Sequence, residues 1–364
     1  MMAHFGPLPL CLPFTGTNGK VRSNMKQQNI SGLLTNGEWL AHRYDATADV
    51  YHMRHLDRQA HIDATFITDE YLGVEANPVI IDRKDAMASV AKDNSLHFIL
   101  HSAFCASTML AKGFDLPGLS MGLKEPVLLN DIVEYRRRGA APADVAERLD
   151  HGLHMLARPF GGGKTVVVKP SNVFNALAPA ALMMRPTSKA ILLHAPLPVF
   201  LVSVARKGLW CRLWCRELLE GLLADGMVNL GFEPSDYFRQ SDLQIAAVGW
   251  LGQQQLFHRL VKQFGPERIM TLDSEQLTAN PVGAFKAAAT HFGFDVPDEL
   301  VQNHAAFSTH SKLGGSFRTE DRQAEHNIAR QAYGDEIEKV LIWSDAVAKA
   351  ATIEMTLPSP LLVE

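Results

Sequence analysis

The chain has 364 residues, 47% of them hydrophobic and 20% charged, and its 39 acidic and 35 basic side chains give a formal net charge of -4. This is the balance of a globular protein with a sizeable core, built as one large domain or two small ones. The mildly acidic total gives no global attraction to nucleic acid or an anionic membrane, so a phosphate site has to be assembled from local basic residues.

Four cysteines, Cys11, Cys105, Cys211 and Cys215, are too few and too scattered for a disulfide framework, which points to reduced thiols and a cytoplasmic protein. No window approaches the roughly 18 uninterrupted apolar residues of a membrane helix, so no integral membrane association is expected. The opening segment is apolar but short, broken by Pro7, Pro9 and Pro13, and lacks the basic flank of a signal peptide. Residues 1–36, rich in Gly, Asn and Ser beyond Gly16, read as a poorly ordered or extended lead-in, and 37–364 as a single domain.

Residues from about Leu40 to Ala91 read as mixed helix and loop, with an apolar run at 79–81. LHFILH (96–101) is a short apolar run bounded by polar residues, as in a buried strand. Small residues follow, then a helix-forming stretch TMLAKGF, then a loop holding LKEP at 123–126. Two helical stretches, LLNDIVEYRRR and ADVAERLDHGLHMLARPF, lead to a GGGK turn at 161–164 and a second strand, TVVVKP. Ser171 and Asn172 stand as N-caps of the next helix. KAILLHAP gives a third strand and runs into one long helical pattern, LPVFLVSVARKGLWCRLWCRELLEGLLA. A helix at 241–264, a strand ERIMTLD and a helix with Pro281 near its start complete the pass. Strands alternating with helices predict the α/β class, a parallel sheet flanked by helices on both faces.

The chemistry concentrates at the turn HSAFCAST, where the first of these strands meets its helix. A helix N-terminus offers unpaired N–H groups and the positive end of the macrodipole. Ser102, Ala103, Ala106, Ser107 and Thr108 are small enough to let a phosphate reach that backbone. The hydroxyls of Ser107 and Thr108 serve equally well as a plain helix cap. The kinase-type loop GxxxxGK[ST] is absent, since the turn has neither glycine nor lysine.

LHFILHSAFCASTMLAKGFDLPG resembles the 5′-phosphosulfate loop of sulfotransferases that use 3′-phosphoadenosine 5′-phosphosulfate (PAPS). LKEP at 123–126 resembles the segment that follows that loop, and ILLHAPLPVFLVSVARKG at 191–208 the strand and helix that bind the nucleotide 3′-phosphate. Residues 268–294 are similar to the family's late strand, acidic turn and helix, and FSTHSK at 307–312 to the segment that closes over the nucleotide. The pieces keep family order over about 95–345. The resemblance implies a P-loop-like sulfotransferase fold, with PAPS as co-substrate and no metal. It implies transfer of a sulfuryl group to a hydroxyl or amine of a small-molecule, lipid or carbohydrate acceptor.

Carried onto this sequence, the resemblance gives the loop Ser102, Ala103, Phe104, Cys105, Ala106, Ser107 and Thr108 to the 5′-phosphosulfate, and Ser203, Arg206 and Lys207 to the 3′-phosphate. Lys312, with Gly314 and Gly315, falls in the closing segment. The chain departs from the family where Phe104 replaces the usual loop Lys or Arg, where His194 replaces the Arg ending the third strand, and where Ser203 is displaced by one. Lys124 is a candidate to supply the charge that Phe104 lacks; Lys169 lies at a strand's C-terminal edge, where open α/β sheets bind ligands. Glu125 is the candidate general base, with His194 as a phosphate contact or second base. Against these stand a surface lysine at 124, a structural ion pair at Glu125 and a satisfied core histidine at 194. His52, His55 and His61 lack the spacing of a metal site. Two other classes remain: a non-catalytic nucleotide-binding module, suggested by Phe104, and an atypical P-loop kinase or phosphatase.

Overall fold

A computed structural model describes residues 27–163, 165–302, 304–307 and 319–362. Two compact units divide the chain, one drawn from 197–255 and 322–355, the other from 25–196, 256–321 and 356–364.

The larger unit carries both sheets. Strands β1 (Trp39–Asp45), β2 (Val50–His55) and β3 (Val79–Asp82) form an antiparallel sheet in the order β1-β2-β3. This stretch reads in sequence as mixed helix and loop, because WLAHRYD and VYHMRH interleave His and Arg with their apolar residues. The structure uses them in pairs with a bulge between Ala41 and Arg43. A helix, Gln27–Thr35, precedes β1 inside the segment expected to lack order.

The second sheet contains β4 (Ser95–His101), β5 (Ser120–Lys124), β6 (Thr165–Lys169), β7 (Ala190–His194) and β8 (Ile269–Asp273). All four pairings are parallel, in the order β5-β6-β4-β7-β8. The α/β parallel sheet flanked by helices is therefore the observed architecture. Val166, Val167, Val168, Ile191, Leu192 and Leu193 are fully buried, as central parallel strands covered on both faces require. The fifth strand, β5, ends in the LKEP stretch expected to be a loop. Its Gly122 lets the helix Ser107–Gly113 approach: a Cβ there would meet the Ala111 carbonyl oxygen at 1.9 Å. At the far edge, the Thr271 N–H donates to Ser359 and Thr271 accepts from the Leu361 N–H, so residues 359–361 cover β8.

The chain leaves β4 for β5 on one side, and crosses from β6 over β4 to β7 on the other. The C-terminal end of β4 is thus the topological switch point, where open α/β sheets bind ligands.

In the smaller unit the long helical pattern divides into helices Leu197–Arg206 and Leu209–Ala224, separated at Gly208, whose φ of 73° only glycine adopts without strain. Cys211 and Cys215 are buried and free, packed with Leu218, Leu219 and Leu222 on one face of the second helix. Arg212 pairs with Glu336 at 3.2 Å and Arg216 with Asp242 at 2.7 Å, so both cations are occupied structurally. No helix among the described residues is long and apolar enough to cross a membrane.

Candidate functional site

The turn after β4 is held in an unusual backbone conformation. Ala103, Phe104 and Ala106 have φ of 71°, 51° and 61°, the left-handed region that L-residues avoid at a cost of about 1–2 kcal/mol each. Ala106, left-handed and followed by helical Ser107, supplies the alternation of hand in which backbone N–H groups turn toward a common centre, as in an anion-binding nest. Ala106 is also the N-cap of the helix Ser107–Gly113 and offers no side-chain cap to its first N–H groups.

Three anchors maintain this shape. The Ser102 N–H donates to the Leu193 carbonyl at 3.1 Å and its Oγ accepts from the Ala195 N–H at 3.3 Å, which ties the loop to β7. The Ala103 N–H donates to Nδ1 of His101 at 3.2 Å, while Nε2 of His101 lies 3.0 Å from the Pro170 carbonyl. An acceptor Nδ1 and a donor Nε2 define the neutral tautomer of a buried imidazole that bridges β4 to the end of β6. The Asn175 amide donates to the His101 carbonyl at 3.0 Å. The buried Cys105 thiol packs inside the loop, where burial pushes its titration up while Lys169 and hydrogen bonds from Ser107 and Ser102 oppose the shift.

Beside the loop, the ends of β4, β5 and β6 bring His101, Glu125 and Lys169 together. The buried Lys169 ammonium is ion-paired to the Glu125 carboxylate, whose Oε1 is 3.9 Å from Nε2 of His101. Glu125 itself has a left-handed φ of 53°, and its N–H donates to the Lys169 carbonyl at 2.6 Å. The Lys169 Nζ lies 4.8 Å from the centre of the Phe66 ring.

Lys124 is Lys169's register partner across β5 and β6, yet its amine turns elsewhere. It donates to the carbonyls of His61 and Ile62, and burial pushes its pKa down to about 7, with Lys112 adding to the shift. His194 ends β7 opposite Asp273 of β8; its Nδ1 is buried without a hydrogen-bond partner, and burial lowers its pKa to about 4. At neutral pH it is an uncharged imidazole.

Of the residues singled out in sequence, the larger unit gathers Ser102 to Thr108, Lys169 and Glu125 at one sheet end. Ser107 and Thr108 are buried in the first turn of their helix. Ser203 is buried on the helix Leu197–Arg206 of the smaller unit, where Arg206 is exposed and Lys207 half-buried. Lys312, Gly314 and Gly315 lie outside the described residues. His52 sits on β2, and His61 is buried against Phe160 at 4.9 Å. Among the described residues no group of three or more His, Cys, Asp or Glu is arranged to hold a metal.

Sequence reasoning missed the strap over Glu125. The Ile67 N–H donates to the Lys124 carbonyl at 2.7 Å, and the Ile67 carbonyl accepts from the Val127 N–H at 3.3 Å. Phe66, Glu70 and Tyr71 arrive with that strap, and no spacing or motif in ATFITDEYLG signals it.

No family model matches the chain, and no curated protein does. Among solved structures it is similar to a sulfotransferase domain of the curacin biosynthetic pathway, at 15% identity and a TM-score of 0.42 over 74% of this chain and 100% of that one. A sulfotransferase from Mycobacterium avium matches at 12% identity and a TM-score of 0.41, covering 66% and 76% of the two chains. The sulfotransferase domain of an olefin synthase from Synechococcus PCC 7002 matches at 12% and 0.40, covering 66% and 89%.

Proposed function

We propose that this chain is a PAPS-dependent sulfotransferase that moves a sulfuryl group to a hydroxyl or amine of a small-molecule, lipid or carbohydrate acceptor. The observation that carries the reading is the loop of three left-handed, non-glycine residues at the sheet's switch point, with the Lys169–Glu125 pair beside it. Strain of this kind persists only where the surroundings enforce it, and it is concentrated at ligand sites.

In this reading the loop N–H groups and the hydroxyls of Ser107 and Thr108 hold the donor's 5′-phosphosulfate. Lys169 supplies the charge that Phe104 does not, neutralising the bridging oxygen as the sulfur–oxygen bond to phosphate breaks. Glu125 takes the acceptor's proton as the acceptor oxygen or nitrogen bonds to sulfur, and adenosine 3′,5′-bisphosphate leaves. Lys124, committed to two carbonyls, supports the strand end. His194 meets the donor as a neutral hydrogen-bonding ring. Ser203, Arg206 and Lys207 keep the 3′-phosphate role that the sequence resemblance gives them, and Lys312 the closing role.

Calorimetric titration with 3′,5′-adenosine bisphosphate, with AMP and ATP as controls, tests the reading. Binding that collapses without the 3′-phosphate supports it; no binding, or a preference for ATP, overturns it in favour of a packing turn or a kinase-like site. A second reading, a nucleotide-binding module without catalysis, is favoured by Phe104. Tight bisphosphate binding with no sulfate transfer from PAPS in either the native chain or Phe104→Lys would establish it.

A further inference from the structure

The brace at His101 has a property that burial and packing alone do not require. Its ring joins two parts of the site through opposite hydrogen-bond roles. Nδ1 accepts from the Ala103 N–H at 3.2 Å, and Nε2 lies 3.0 Å from the Pro170 carbonyl oxygen. A main-chain N–H can only donate and a carbonyl can only accept, so the pairing holds for one protonation state, the neutral ring with its proton on Nε2. An imidazolium carries N–H groups at both nitrogens. Its Nδ1–H would confront the Ala103 N–H, leaving two buried donors face to face.

The brace acts where the strain of the loop begins. Ala103 is the first of the left-handed residues, with φ of 71°, and Phe104 and Ala106 follow at 51° and 61°. An alanine stays in that region only while something holds it there. The Ser102 bonds to β7 and the Asn175 bond to the His101 carbonyl lie before Ala103 and involve no titrating atom.

Charged and titratable neighbours reach the ring's surroundings from each adjoining element. Glu125, after β5, has its Oε1 3.9 Å from Nε2 and favours a proton on the ring. Lys169, ending β6, is paired with that carboxylate and offsets it. The Cys105 thiol is buried in the loop itself. On β7, His194 follows Leu193, the register partner of His101, and burial keeps it uncharged at neutral pH.

We infer that His101 is the positioning residue of the loop after β4 and that its protonation is the loop's off-switch: the neutral ring holds Ala103 in its left-handed turn, and the imidazolium releases it. The inference rests on the sulfotransferase reading for what the loop holds, and adds a pH dependence to that site. A direct contact would give the opposite sign, because an imidazolium touching the anion would tighten binding as pH falls. The direction of the pH effect therefore separates a brace from a ligand.

The test titrates 3′,5′-adenosine bisphosphate into the full native chain and into His101→Asn between about pH 8 and pH 5, the range in which a histidine changes charge. The asparagine oxygen replaces Nδ1 as acceptor for the Ala103 N–H and takes up no proton. The ligand's phosphates and the other groups of the site titrate in both chains, so the ratio of affinities isolates the ring. At about pH 8 the two should bind within about threefold of each other; at about pH 5 the native chain should be about tenfold weaker than the variant. A ratio that stays flat, or one that moves in favour of the native chain, overturns the inference. Amide hydrogen exchange at Ala103 gives a readout without nucleotide. In the native chain its protection, corrected for the intrinsic rate, should fall about tenfold over the same pH range while that of β7 holds, and in His101→Asn it should stay constant. Constant protection in the native chain overturns the inference even if the variant does not fold. Failure of the bisphosphate to bind at any pH counts against the sulfotransferase reading; protection of Ala103 that still falls with pH then keeps the brace.

Discussion

Lys124 and Lys169 end adjacent strands directly opposite one another, both almost wholly buried, and they live in different electrostatic worlds. Lys169 faces a carboxylate and an aromatic ring, so its charge is balanced at close range. Lys124 faces two carbonyls, which help a cation but do not neutralise it, and burial lowers its pKa to about 7. Two lysines with the same strand-end position thus differ in what they can do. One is paired with a carboxylate beside the loop that follows β4; the other, its pKa lowered by burial, helps to hold a strand end.

The largest test of that contrast removes Lys169. Lys169→Met should strand the Glu125 carboxylate, costing about 3 kcal/mol of stability in urea unfolding. It should also lower sulfate transfer at least about a hundredfold. Glu125→Gln should be milder in stability and equally damaging to transfer, and a variant pair with reversed severity would break the contrast.

Lys124→Met should instead show its effect through pH. Below about 7 the folded and unfolded chains both carry the proton, and the native state bears the full cost of a buried cation. From about 7 up to the ordinary lysine range only the unfolded chain stays protonated, so native stability rises with pH, by at most about 1.4 kcal/mol per unit. The stability difference between Lys124→Met and the native chain should therefore shift toward the native chain between pH 7 and 10. A flat difference across that range would place a neutralising partner beside Lys124.

His101→Ala removes the acceptor for the Ala103 N–H and the donor to Pro170. It should cost about 2 kcal/mol and weaken bisphosphate binding about tenfold, whereas the same loss of stability with unchanged affinity would make His101 a packing residue only. The smallest effect is at Ala106. Glycine there relieves the left-handed φ at the price of a more flexible unfolded chain, so Ala106→Gly should stabilise by about 0.5–1 kcal/mol in thermal unfolding.

The parallel sheet was legible because β4, β6, β7 and β8 are continuous apolar or β-branched runs, and burial on both faces leaves that signature. SMGLK hid β5: its glycine and serine are there for a close helix, and they erase strand character. The small antiparallel sheet hid behind its His and Arg residues, whose purpose becomes visible only when Arg43 reaches Asp69 and Asp131. At the site, the small residues after β4 could be read as a candidate phosphate loop, but the separate fates of Lys124 and Lys169 could not be read. Which carbonyl or carboxylate a buried lysine finds depends on segments 63 and 44 residues away in the chain, and no local pattern encodes that.

The clamp on Ile67 is made by main-chain groups alone, and the second anchor of the strap is the Asp69 carboxylate held by His42 and Arg43. Glu70 and Tyr71 can therefore change without loosening the strap, whereas Phe66 is tied to the site by the Lys169 ammonium beneath its ring. Such a separation of support from presentation makes Glu70 and Tyr71 exchangeable positions: diversification there would reshape the surface beside the sheet end while leaving the loop after β4, its histidine brace and the sheet below unchanged.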